Sequence, residues 1–128
     1  MEDCIFCKII NKEKPAHIVY EDEQFMAILD VFPRVKGHTL LIPKTHARWV
    51  NDVEPFGRYW EVARTIAKKL QKHLNTEYLS YVTLGDEVPH AHIHIMPQQE
   101  VGAIKFGQVV SQTNEDLSAL AAEIIKLD

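Results

Sequence analysis

The run Pro89-His90-Ala91-His92-Ile93-His94-Ile95-Met96-Pro97 constrains this chain more than any other stretch of it. Imidazoles alternate with small or apolar side chains, and alternate residues of a β-strand share a face. The period of two predicts a strand over Ala91–Met96 that sends His90, His92 and His94 to one side and Ala91, Ile93 and Ile95 into the core. A neutral imidazole is a competent nucleophile near neutral pH, and it needs neighbours that fix which ring nitrogen is free. Same-face neighbours on one strand lie within reach of one another or of a shared ligand, so one element can supply both the attacking group and its orienter. The plain alternative is a surface strand that happens to carry several histidines, or a fortuitous metal-affinity patch.

The remaining punctuation places this strand in an α+β chain without internal repeats. Cys4 to Asn11 reads as a short helix or turn that stops before Pro15. His17–Tyr20 and Phe25–Leu29 are β-rich runs joined by the acidic turn Glu21-Asp22-Glu23, a hairpin with Asp30 at its end. After a loop carrying Pro33 and Gly37, His38–Ile42 resumes as a strand closed by Pro43. From Glu54 to Leu74, Trp60, Ala63, Ala67, Leu70 and Leu74 recur at threes and fours, which predicts the longest helix. Tyr78–Leu84 is strand-like. Thr113 and Asp116 form a capping pattern ahead of a stripe of Leu117, Leu120, Ile124 and Leu127. That stripe either packs on its own sheet or, as the sharper alternative, makes a dimer contact.

Size and charge narrow the function. A chain of 128 residues with 46% hydrophobic and 25% charged residues fits one soluble domain over 1–128. Lys and Arg number 14 against 18 Asp and Glu, a net −4, so no global basic field would recruit double-stranded nucleic acid. The apolar runs are short and broken by charge, and Met1-Glu2-Asp3 opens acidic, which predicts neither a membrane span nor a secretion signal. A disulfide between Cys4 and Cys7 would close a tiny loop and constrain little, so a metal pair or a reduced thiol pair fits better, in keeping with a cytoplasmic location. A thioredoxin-like redox pair would follow a strand, and none fits ahead of Cys7.

His90-x-His92-x-His94 followed by two apolar residues resembles the defining motif of the histidine-triad family of nucleotide hydrolases and transferases. Cys4-Ile5-Phe6-Cys7-Lys8-Ile9-Ile10, Leu29-Asp30 and Gly37-His38-Thr39-Leu40-Leu41-Ile42-Pro43-Lys44-x-His46 occur in that family's order, so the resemblance covers residues 4 to 98 and leaves the tail 99 to 128 undiagnosed. It implies an antiparallel sheet of about five strands with one long helix and a C-terminal helix, a homodimer in which two sheets join, and a pocket for a purine nucleotide. Trp49, Trp60 and the C-terminal stripe are candidate dimer contacts. Carried over position by position, the resemblance makes His92 the nucleophile that attacks the α-phosphorus and forms a nucleotidyl-histidine. His94 becomes the orienter of His92 and of the phosphate oxygens, and His38 a further active-site histidine. Asp30 corresponds to the acid that accepts from ribose hydroxyls, although a strand-end turn explains an Asp there too. Phe6, Ile9 and Ile28 are candidate walls around the base, and core packing accounts for each of them as well. Zinc-binding members use the positions held here by Cys4, Cys7, His46 and His90, a donor set suited to a closed tetrahedral structural site. The alternative for the two cysteines is a pair of small buried apolar residues.

The chain departs from the family in the loop before the triad, where a Gly-Gln-Ser or Gly-Gln-Thr run holds phosphates. Gly85 is kept, but Asp86 replaces the Gln and Glu87 the hydroxyl, and no Asn stands upstream. Two inward carboxylates would repel a phosphate. Gly85 and Glu87 remain candidate substrate contacts; the acids either face solvent, stay protonated or pair with a cation, or mark a different substrate. The expected function is a nucleoside phosphoramidase-like hydrolase that releases AMP or GMP. Dinucleoside polyphosphate hydrolysis and nucleotidyl transfer are the alternatives within that chemistry, and a non-catalytic nucleotide- and zinc-binding module is the alternative outside it.

Overall fold

The computed structural model describes residues 3–100, 102–105 and 107–127. A short helix α1 (Ile5–Ile10) leads into β1 (Ile18–Glu21), β2 (Phe25–Leu29) and β3 (Thr39–Pro43). A 3-10 turn at Val50–Asp52 precedes the long α2 (Phe56–Leu74), and β4 (Tyr78–Val82), β5 (Ile93–Gln98) and α3 (Asn114–Ile125) complete the chain. The five strands form one antiparallel sheet in the order β1-β2-β3-β5-β4.

Local chemistry sets the element ends. The Asp22 carboxylate accepts from the backbone N–H groups of Gln24 at 2.7 Å and Phe25 at 2.8 Å, which closes the β1–β2 hairpin. Asn75 ends α2 in the left-handed region at φ 54°, a conformation Asn tolerates better than most residues. The expected capping arrangement of α3 is present: the Thr113 hydroxyl accepts from Asp116 N–H, and the Asp116 carboxylate accepts from Thr113 N–H.

Strand alternation divides the sheet into two faces. Phe25, Ala27, Leu29, Leu41, Ile93 and Ile95 pack in a cluster with α2 and α3, where Tyr59, Val62, Ile66, Leu70, Leu117, Leu120 and Ile124 are buried. Met26, Ile28, Leu40 and Ile42 face the other way and pack on Phe6 and Ile9 of α1. His94 lies directly across from Leu40, so it stands on this second face. Tyr59 ties α2 to the sheet centre through a 2.8 Å hydrogen bond from its hydroxyl to the Leu41 carbonyl.

Several expectations shift. The triad strand begins at Ile93 rather than Ala91. The ladder stops there because Ala91 N–H turns to the Ala47 carbonyl at 2.7 Å, and the Pro43 carbonyl is bonded instead to His90 Nε2 at 2.9 Å. β4 ends at Val82, two residues before Leu84. α2 buries Tyr59 and Ile66, whereas Trp60 is half-buried against Tyr81. The α3 stripe is already covered by its own sheet and α2, with Ala121 in it and Leu127 beyond the helix end, so the alternative of a dimer contact through that stripe is set aside.

Candidate active site and metal cluster

The second face of the sheet opens into a cleft of about 820 Å³. Phe6 and Ile9 of α1, Ile28 and Leu40 of the sheet, and Leu84 and Val88 give it apolar walls, while Asp30, Arg34, Asp86, Glu87, His92 and His94 supply its polar groups. Of the residues singled out for substrate, Asp30, Phe6, Ile9, Ile28, Glu87, His92 and His94 converge here. Asp86 and Glu87 are exposed at its rim. Gly85 lies beside it in a smaller notch, and His38 sits behind His94 with only 1% of its surface exposed.

A chain of hydrogen bonds fixes the tautomer of each imidazole. Arg34 N–H donates to His38 Nδ1 at 3.1 Å, so the proton of neutral His38 is on Nε2. His38 Nε2 is 2.9 Å from His94 Nδ1 and donates to it, which leaves the His94 proton on Nε2. His92 Nδ1 lies 2.7 Å from the His90 carbonyl, which can only accept, so Nδ1 carries the proton and His92 Nε2 carries a lone pair. The His92 ring lies 5.0 Å from that of His94 and 5.2 Å, edge-on, from Phe6. Burial, followed by the neighbouring imidazole charge, holds His38 down to about 3 and His94 down to about 4, so both are neutral near pH 7. The arrangement thus places one unprotonated nitrogen, on His92, next to the ring of His94, whose proton is on Nε2.

Asp30 ends β2 with one carboxylate oxygen accepting from Phe32 N–H at 2.8 Å and the other 3.5 Å from the Arg34 guanidinium. Burial nonetheless raises its pKa above the ordinary carboxylate value, against the lowering effects of Phe32 N–H and Arg34. Asp30, His38 and His94 are close enough to suggest a metal site, but the bonds just described occupy both nitrogens of His38, so that trio is read as a hydrogen-bonded network. Arg34 was not anticipated from the sequence. A lone Arg in a Pro- and Gly-containing loop carries no periodic signal, yet its backbone orients His38 and its side chain lines the cleft.

On the far side of the triad, Cys4, Cys7, His46 and His90 form a tight group. Cys4 Sγ is 3.2 Å from His90 Nδ1, Cys7 Sγ is 3.3 Å from His46 Nδ1, and the two Nδ1 atoms are 3.1 Å apart. Metal–ligand bonds of about 2.0–2.3 Å give tetrahedral edges of roughly 3.3–3.8 Å, close to this spacing. His90 Nε2–H donates to the Pro43 carbonyl at 2.9 Å, which turns the lone pair on Nδ1 toward the sulfurs. The four predicted ligands are therefore together, and the donor chemistry suits a metal ion. Among the described residues, no helix is long and apolar enough to cross a membrane.

Comparison with known proteins agrees with this geometry. The HIT domain profile matches residues 11–101. An uncharacterized HIT-like protein of Methanocaldococcus jannaschii is 40% identical, with 94% of this chain and 98% of the relative covered. An adenosine 5'-monophosphoramidase of Saccharomyces cerevisiae is 32% identical over 95% of this chain and 80% of its own length. The crystal structure of a zinc-bound histidine triad family protein from Mycobacterium smegmatis superposes with a TM-score of 0.79 at 30% identity, covering 96% of both chains. With its triad strand, cleft and profile match in agreement, the chain belongs to the HIT family.

Proposed function

We propose that this protein is a nucleotide hydrolase that cleaves at the α-phosphorus, with a nucleoside phosphoramidate as its first candidate substrate. The observation that carries the reading is the His92 ring: Nδ1–H is committed to the His90 carbonyl, so Nε2 presents a lone pair at the wall of a nucleotide-sized cleft. In the first step the His92 Nε2–phosphorus bond forms and the bond from phosphorus to the leaving amine breaks, the amine departing with a proton taken from the site. In the second, a water oxygen bonds to phosphorus, the His92–phosphorus bond breaks, and one water proton restores the site, giving the nucleoside monophosphate and free His92. His94 Nε2–H is the donor for the phosphoryl oxygens. His38, which is shut off from the cleft, is a positioning residue that acts through His94. In this reading Asp30 takes the ribose and Phe6, Ile9 and Ile28 the base of a purine nucleotide, in keeping with their places in the cleft, and Glu87 at the rim and Gly85 in the adjoining notch serve the phosphate side.

Zinc is the metal assigned to Cys4, Cys7, His46 and His90. With four protein ligands it would be structural, tying α1 and the loop after β3 to the segment that presents His92. A homodimer is supported by β4, an edge strand with Tyr78 and Tyr81 exposed; sedimentation at micromolar concentration should give twice the chain mass, and a monomer there contradicts it. The catalytic reading is tested by chromatographic assay of AMP released from adenosine 5'-phosphoramidate. The parent is expected to turn over, and His92→Asn to lose at least about a thousandfold while still binding AMP; an unreactive parent or a fully active variant overturns it.

A further inference from the structure

The notch beside the cleft holds a cation that the chemistry above leaves unused. Arg48 follows His46 by two residues, and its guanidinium lies 4.0 Å from the centroid of the Trp49 ring. Its Nη1 is buried and has no hydrogen-bond partner among the described residues. A guanidinium keeps its charge in any protein environment, and a buried donor with nothing to donate to is rare in a folded chain. Such a group calls for an acceptor that arrives with a ligand.

The surroundings indicate which acceptor. Thr83, Gly85, Ala91 and His92 line the notch together with Arg48 and Trp49, and it shares only Leu84 and His92 with the large cleft. It is therefore adjacent to the proposed nucleophile without including the residues around Asp30. Its volume of about 30 Å³ admits one oxygen-sized atom and no more. Gly85 keeps it open: at φ +77° a Cβ there would lie 3.0 Å from the Trp49 ring and 3.5 Å from Arg48 Nη1. The neighbouring loop carries Asp86 and Glu87, which repel a phosphoryl group rather than hold it, so a cation on this flank has a specific use.

We propose that Arg48 binds a non-bridging oxygen of the phosphoryl group that His92 attacks, taking that oxygen into the notch through Nη1–H. The inference rests on the nucleotidyl-hydrolase reading and adds a phosphate-recognising residue to it. Arg48 in this role makes the site select nucleoside 5'-phosphates over nucleosides.

Calorimetric titration of the full chain with AMP and with adenosine tests this, using Arg48→Met and Arg48→Lys as variants. The parent is expected to bind AMP more tightly than adenosine. Arg48→Met should lose about tenfold or more of that preference with adenosine affinity unchanged, and Arg48→Lys should recover part of it. Because Nη1 has no hydrogen-bond partner among the described residues and the Met side chain can still lie on the Trp49 ring, the melting temperature of Arg48→Met should stay close to that of the parent. An Arg48→Met protein that keeps the full AMP-over-adenosine ratio overturns the assignment while leaving the hydrolase reading intact. So does one that loses affinity for both ligands equally and melts earlier, since that marks a structural role. A parent that binds neither ligand overturns the hydrolase reading and this inference with it.

Discussion

The orientation of the site depends on His38 being buried as a neutral ring, and that state has a measurable consequence in acid. Its pKa is lowered from 6.5 to about 3, first by burial and then by His94. As the pH falls through 6.5 the unfolded chain takes up a proton at this residue, whereas the folded chain takes none until about pH 3. The unfolded state then binds more protons, so the stability that neutral His38 contributes is complete above pH 6.5 and is lost progressively as the pH falls toward 3. Between pH 7 and pH 5 a single site with these values gives a loss of about 2 kcal/mol. His94, held down to about 4, adds a loss of the same sign. Gln in place of His38 can still donate an N–H to His94 Nδ1 while removing the titrating ring, so subtracting the two pH slopes leaves mainly the contribution of His38. Urea unfolding followed by tryptophan fluorescence at pH 7 and pH 5 should show the parent losing about 2 kcal/mol more than His38→Gln over that interval, equivalent to roughly 7 °C in melting temperature for a chain of this length. Equal pH slopes would refute the buried neutral His38 and the tautomer assignment built on it.

Three further outcomes follow from other parts of the structure. Chelation of the metal from Cys4, Cys7, His46 and His90 should release one zinc per chain by elemental analysis. If zinc was held at about a thousand times its Kd, its loss should lower stability by about 4 kcal/mol; a metal-free protein that melts unchanged contradicts the structural role. Tyr59→Phe keeps the ring stacked on Phe25, with centroids 5.2 Å apart, and removes only the bond to the Leu41 carbonyl, so calorimetry should find a loss of about 1–1.5 kcal/mol; no loss would show that this bond does not hold α2 to the sheet. Gly85→Ala places a Cβ 3.0 Å from Trp49 at a positive φ and should cost about 1–3 kcal/mol, with a shift in Trp49 emission as a second readout.

The parts of this fold that follow from local periodicity were legible in the sequence. The alternation around His92 separates the histidines from the core residues Ala91, Ile93 and Ile95, although both faces of that segment turn out buried; the threes and fours of α2 report directly on its buried face, and the Thr113 and Asp116 cap needs only three residues of spacing. The start of β5 was less legible, because it depends on where the Ala91 N–H and the Pro43 carbonyl find partners 44 and 47 positions away along the chain, Ala47 and His90. Alternation alone carries no information about such distant competitors. The metal ligands came from the family resemblance, since a C-x-x-C in isolation does not choose its two histidines; the geometry then brought all four together. Arg34 and Arg48 lie in irregular loops where side-chain direction is set by tertiary contacts, and neither position carries a pattern that would have singled it out.

The central claim is that His92 Nε2 becomes bonded to phosphorus during turnover. Rapid-quench intact-mass analysis of the parent mixed with adenosine 5'-phosphoramidate, with His92→Gly as control, tests it most directly. The account predicts a transient gain of one adenylyl group, mapped to His92 in the parent and absent in the variant, that rises before AMP reaches its steady rate. AMP formed by the parent with no adduct at any time, or turnover by His92→Gly at the parent's rate, would contradict it.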